Sequence, residues 1–222
     1  MDVSSEGIPK RLGSLSATRL SPVAQFNDST LFIATRNRNP NLMAVDVTSP
    51  SHPALAWRRT LQRTDVAVQL IPASSYVAII ANPSGFHGWG APESLFMMDS
   101  SPDQSRSASI TIDGWPSDSG TPIPRGLRAE WNDAHSLLAV VGKHMYTVFA
   151  EEMLLGPPAE SRTPEGISYL RPFSIAGVDP VRVERFGEFL LVKSNPVPGE
   201  LNETALLVYS SPLGSETKAL TI

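Results

Sequence analysis

Four histidines, His52, His87, His135 and His144, are the side chains of this sequence best suited to proton transfer near neutral pH, and no cysteine accompanies them. The histidines are scattered, so their spacing gives no metal site. The lack of cysteine excludes thiolate zinc sites, cysteine nucleophiles and disulfides. A Gly-x-Ser-x-Gly elbow, a phosphate-cradling glycine loop and a His-Glu-x-x-His helix are all missing from the sequence. Its carboxylates are dispersed and suggest no acid–base pair. The expectation is therefore no catalytic residue, no metal and no cofactor.

What remains is recognition chemistry. In Gly85-Phe86-His87-Gly88-Trp89-Gly90, glycines flank two aromatics and a histidine. Phe86 and Trp89 could stack a flat ligand or a sugar, with His87 donating or accepting beside them. The competing reading is that both rings plug the loop onto its scaffold. Trp115, in the Pro- and Ser-rich stretch from Asp113 to Gly126, could join that site or could pack a linker. Arg36 and Arg38, two apart, could fork onto a carboxylate or phosphate, or stand solvated in a loop. Arg58 and Arg59 read as protection for an exposed sheet edge. His52 and His135 fall in short turns away from any expected site, and His144 sits beside a hairpin.

Composition limits the partners. The 222 residues are 41% hydrophobic and 18% charged, with a formal net charge of -4. That is enough apolar material for a sizeable core. Mild acidity, with no basic stripe among the aromatics, disfavours nucleic acid. The richest apolar run, Leu137 to Val148, is interrupted by Lys143 and His144, so no membrane span is expected. No signal peptide is seen in residues 1–20, which favours the cytosol, whereas the lack of cysteine fits either compartment and leaves the localisation open.

The elements that would hold these loops emerge from self-similarity. Twenty prolines and fifteen glycines separate short apolar runs, the punctuation of an all-β chain. Phe26-Asn27-Asp28 and Trp131-Asn132-Asp133 each lead into an apolar strand, Leu31 to Ala34 and Leu137 to Ala139. Weaker copies occur at Tyr76 to Ile80 and Phe189 to Val192. A second piece is an apolar strand ending in a Ser-Pro turn, at Leu42 to Pro50, Leu95 to Pro102 and Leu206 to Pro212. The proline spacing leaves room for a degenerate copy near residue 155, where Ala150 to Leu155 is good helix-forming material. Strand, turn, strand, loop, strand, turn, strand recurs four times in units of about 50 residues, as in the blades of a β-propeller.

Those residues resemble the β-propeller class, specifically degenerate WD-repeat-like or LVIVD-like blades. The resemblance implies four four-stranded antiparallel blades at about 22–62, 66–112, 126–172 and 180–222, in a single domain spanning 22–222. Residues 1–21 form an N-terminal segment whose Lys10 to Ala17 could latch the ring. A β-sandwich, or a partial arc of a larger propeller, is the alternative fold. Second and third strands, being almost wholly apolar, should be covered on both faces. An incomplete ring would expose apolar sheet faces and self-associate. The functional expectation is a non-enzymatic module that docks a protein or peptide on its long-loop face. The alternative is a propeller enzyme acting on a small carbohydrate, lactone or organic acid in the central channel.

Overall fold

A computed structural model of the chain describes residues 2–3, 9–10, 14, 20–35, 41–60, 65–83, 94–103, 106–111, 126–141, 144–156, 169–175, 179–195, 205–210, 212 and 220–221. Sheet 1 comprises β3 (Leu20–Asn27), β4 (Thr30–Thr35), β5 (Asn41–Asp46) and β6 (Ala54–Thr60). Sheet 2 comprises β7 (Asp65–Pro72), β8 (Tyr76–Pro83), β9 (Ser94–Asp99) and β10 (Ser107–Thr111). Sheet 3 comprises β11 (Arg128–Trp131), β12 (Ser136–Val141), β13 (His144–Phe149) and β14 (Leu170–Phe173). Sheet 4 comprises β15 (Asp179–Phe186), β16 (Phe189–Asn195), β17 (Ala205–Ser210) and β18 (Leu220–Thr221). Each is an antiparallel meander in sequence order, so the architecture is all-β and β-propeller-like, and a two-sheet sandwich is excluded.

A separate two-stranded sheet joins β1 (Asp2–Val3) to β2 (Pro9–Lys10). Lys10 pairs there with Asp2; apart from Ser14, the rest of the anticipated latch, up to Ala17, lies outside the described residues. The short helix α1 (Ala150–Leu155) follows β13, where the repeat spacing left room for it.

Period-2 alternation decides the packing. On β8, Val77, Ile79 and Ala81 meet Phe32, Ala34 and Leu42 of sheet 1. Their neighbours Ala78 and Ile80 turn the other way, toward Leu127, Ala129 and Leu137 of sheet 3. On β12, Leu137 and Ala139 face sheet 2, while Leu138 and Val140 join Val183, Leu190 and Val192 of sheet 4. Central strands with both faces covered must be apolar along their length, and β9 and β12 are buried throughout, with polar residues only at their ends, Ser94, Asp99 and Ser136. Each fully buried Leu or Ile contributes roughly 1.5–3 kcal/mol.

The turns use residues that tolerate tight geometry. Asp28 (φ 51°) and Gly187 (φ 60°) adopt left-handed backbone in the first hairpins of sheets 1 and 4. In sheet 3, the Asp133 carboxylate accepts from the amides of His135 and Ser136, each at 2.7 Å, and closes the equivalent turn. Ser49-Pro50 and Ser101-Pro102 stand in the reversals between third and fourth strands.

Sheet 4 departs from expectation. Phe189 to Val192 read as a strand covered on both faces, yet β16 alternates: Leu190 and Val192 are buried, Phe189 is exposed and Leu191 is half-buried. The reason is positional, since the described clusters join sheets 1 to 2, 2 to 3 and 3 to 4, and none of them covers the far side of sheet 4.

Leu138→Ala should cost about 2–5 kcal/mol in urea unfolding, because the rigid sheets on both sides cannot collapse into the void. Tyr209 is buried, and its hydroxyl is the only buried side-chain polar atom among the described residues that finds no partner. Tyr209→Phe should therefore leave stability unchanged or raise it by up to about 1 kcal/mol; a clear loss would reveal a hidden partner for the hydroxyl.

Candidate functional site

In these meanders, the turn after each first strand and the reversal after each third strand leave at one end, and all other connections leave at the opposite end. The anticipated recognition residues belong to the second group. Arg36 and Arg38 connect β4 to β5, Phe86, His87 and Trp89 connect β8 to β9, and Trp115 connects β10 to β11. All six lie outside the described residues.

The short-turn end carries a charge cluster that spacing did not reveal. Asp99 closes β9 with its side chain buried, and Arg106 opens the return strand. The Arg106 guanidinium forks onto Asp99, Nε to Oδ2 at 3.1 Å and Nη2 to Oδ1 at 2.9 Å, and the Arg106 amide adds a bond to Oδ2 at 3.0 Å. From its other edge, Nη1 donates to Glu151 Oε1 at 2.6 Å. The Tyr76 hydroxyl donates to Glu151 Oε2 at 2.8 Å. Glu151 reaches this point because α1 buries Ala150, Met153 and Leu154, which fixes the helix and turns its first-turn carboxylates outward. Glu152 of the same turn pairs with Arg171 at 3.0 Å.

The electrostatics follow from this geometry. Hydrogen bonds from Arg106 and then Tyr76 hold the Glu151 carboxyl below its ordinary range. Bonds to Glu151 and then Asp99 push the Arg106 guanidinium still higher. Burial, and then donation to the Glu151 carboxylate, raises the Tyr76 hydroxyl. Charges fixed in this way do not exchange protons near neutral pH. The cluster is a tie between sheet 2 and the helix of sheet 3.

The same turn is gripped from sheet 1. Trp57 Nε1 donates to the Ser100 carbonyl at 3.0 Å, and Arg59 donates to the carbonyls of Asp99 and Ser101. The Arg59 guanidinium lies over the Trp57 ring, 4.5 Å from its centroid. Arg59 is thus an inter-sheet clamp, which corrects its reading as protection for an exposed sheet edge. Arg58 meets the Met43 sulfur at 3.6 Å.

The first strands are tied through β11. Gln69 donates to the Ala129 carbonyl at 3.3 Å and Arg185 Nη1 to the Trp131 carbonyl at 3.0 Å, so sheets 2 and 4 both hold sheet 3. Trp131 stacks on Tyr76 with centroids 6.1 Å apart and donates Nε1–H to the Ile71 carbonyl at 2.8 Å. Burial pushes the Glu130 carboxyl up, against the opposing Trp131 amide and Arg185 charge. His52, His135 and His144 are exposed, and no group of three or more metal-ligating side chains occurs among the described residues.

Two carboxylates predict opposite acid responses. Glu151 is held low, so its contribution is present above the ordinary carboxylate range and is lost as pH falls through its lowered value; Glu151→Gln should flatten that acid limb. Glu130 is held high, so its ionisation weakens the fold as pH rises above the ordinary range; Glu130→Gln should raise the melting temperature at neutral pH and not in acid. Thermal melts across pH check both.

No family model and no curated protein matches the sequence. Among solved structures, the chain is similar to Kluyvelomyces marxianus Hsv2 at 13% identity, over 92% of this chain and 49% of that one, with a TM-score of 0.46. It is also similar to the N-terminal domain of Nup159 at 11% identity, over 90% of this chain and 47% of that one, with a TM-score of 0.38. The chain spans about half the length of each. Likenesses this slight carry no argument, and the β-propeller-like fold rests on the four sheets themselves.

Proposed function

We propose that this chain is a non-enzymatic propeller module that docks a protein or peptide on its long-loop end. The observation that supports this reading is the use of ionised side chains at the opposite end. Arg59, Asp99, Arg106 and Glu151 are engaged in ties between sheets, which leaves a stiff frame and no proton-exchanging pair among them. Recognition then falls to connections carried by that frame, because loops on a rigid scaffold can vary without loss of the core. In this reading Phe86, Trp89 and Trp115 are the aromatic anchors. Arg36 and Arg38 supply forked bonds to a carboxylate, and His87 a hydrogen bond beside the rings. No described helix is long and apolar enough to cross a membrane.

A displayed random-peptide library, selected on the purified chain, provides the test. Peptides retained by the wild type should bind Trp89→Ala or the Arg36→Ala/Arg38→Ala pair at least tenfold more weakly, with the melting temperature unchanged. Equal binding by those variants would contradict the assignment. So would turnover of a small carbohydrate or lactone that Trp89→Ala abolishes, which would favour a channel enzyme.

A further inference from the structure

The face of sheet 4 turned away from sheet 3 carries large apolar side chains that none of the other described sheets covers. Phe186, Phe189 and Leu206 are 74%, 48% and 40% exposed. Strand register gathers them into three rows. Phe186 opposite Phe189 forms the row nearest the hairpin turn. Glu184, Leu191 and Val208 form the middle row, and Arg182, Lys193 and Leu206 the far row. Glu184 is already paired with Arg182, so the middle of the face presents Leu191 and Val208 beside a neutralised pair.

We propose that this face is the contact of a two-fold dimer and that its occupant is a second copy of the chain. The first argument is likeness, because the three described junctions each stack one apolar sheet face on the next, and the far face of sheet 4 carries exposed apolar side chains of the same kind. The second is chemical self-complementarity. A two-fold axis through the middle row sets Leu191 and Val208 against their own copies. It also lays the Phe186–Phe189 row of each chain beneath the Arg182 and Lys193 of the other, a cation–π arrangement at both ends of the contact. The third is closure, because like-on-like pairing of one face ends at two subunits instead of growing into a fibre. Leu55 of sheet 1, opposite Val45 and 46% exposed, offers the competing head-to-tail contact that the cross-linking test below separates from it.

The patch covers three strands and three rows, roughly 20 by 15 Å, which is small for a permanent dimer. Association should accordingly be concentration-dependent, with a dissociation constant in the micromolar range. The contact lies on a sheet face away from the proposed docking loops, so either reading can fail without the other.

Sedimentation equilibrium of the full chain between about 1 and 200 µM tests the proposal. The mass should rise from 24.0 kDa toward twice that value. Phe186→Asp should weaken dimerisation at least tenfold with an unchanged circular dichroism spectrum, and Leu206→Lys should do the same if the first variant folds poorly. Because the chain has no cysteine of its own, Leu191→Cys tests the symmetry: near the axis, it should form a disulfide-linked dimer on mild oxidation, and Leu55→Cys on sheet 1 should not. A single 24.0 kDa species throughout would overturn the proposal. Dimers undisturbed by both face variants, or a disulfide linking Leu191→Cys to Leu55→Cys in a mixture of the two variants, would overturn it equally.

Discussion

A strand buried on both faces leaves its sheet without a solvent side, and the rest of this molecule depends on that constraint. Once β8, β9 and β12 are apolar at nearly every position, sheets 2 and 3 must each be sandwiched between two others. Alternation along the strand then assigns each residue to one neighbour or the other: Ile79 to sheet 1, Ile80 to sheet 3. The order of sheets follows the order of the chain, as consecutive elements usually lie side by side. Sheet 4 obeys the same rule with a neighbour on one side only among the described residues, which is why β16 keeps a buried face and a more exposed one.

Non-directional burial sets which faces meet but leaves neighbouring sheets free to slide. The polar ties remove that freedom. Arg59 and Trp57 fasten sheet 1 to the turn after β9, and Arg106, Tyr76 and Glu151 fasten that turn to α1. Gln69 and Arg185 hold β11 from either side. Forked guanidinium bonds specify direction as well as distance. A frame fixed in this way can carry variable loops at its far end without paying for their sequence in stability. The same rigidity makes a proton-transfer role for the cluster unsuitable, because Glu151 and Arg106 are each driven further into their charged forms.

Much of the fold is legible in the sequence because its signals are local. Asn27-Asp28 and Asn132-Asp133 mark first turns, Ser49-Pro50 and Ser101-Pro102 mark reversals, and Ala150 to Leu155 breaks the strand pattern with helix formers. The charge cluster is not legible. Asp99, Arg106 and Glu151 stand 7 and 45 positions apart, and their meeting depends on a turn and on the packing of a neighbouring sheet. The open side of sheet 4 is hidden for a related reason: Phe189 to Val192 has the same apolar composition as strands that are covered twice. Composition records what a strand can bury, and the neighbours decide what it does bury. Of the residues singled out for recognition, Arg36, Arg38, Phe86, His87, Trp89 and Trp115 lie outside the described residues, so their assignment rests on residue type and on the topology of the strands that flank them.

The central claim is that two-sided burial orders the molecule and that, among the described residues, sheet 4 is covered on one face only. Native-state amide hydrogen exchange of dilute, monomeric protein tests it most directly. The account predicts that amides of β8, β9 and β12 exchange only through global unfolding, while those of β16 and β17 exchange earlier through opening of sheet 4 alone. Equal protection of all four sheets, or stronger protection in β16 than in β12, would contradict it.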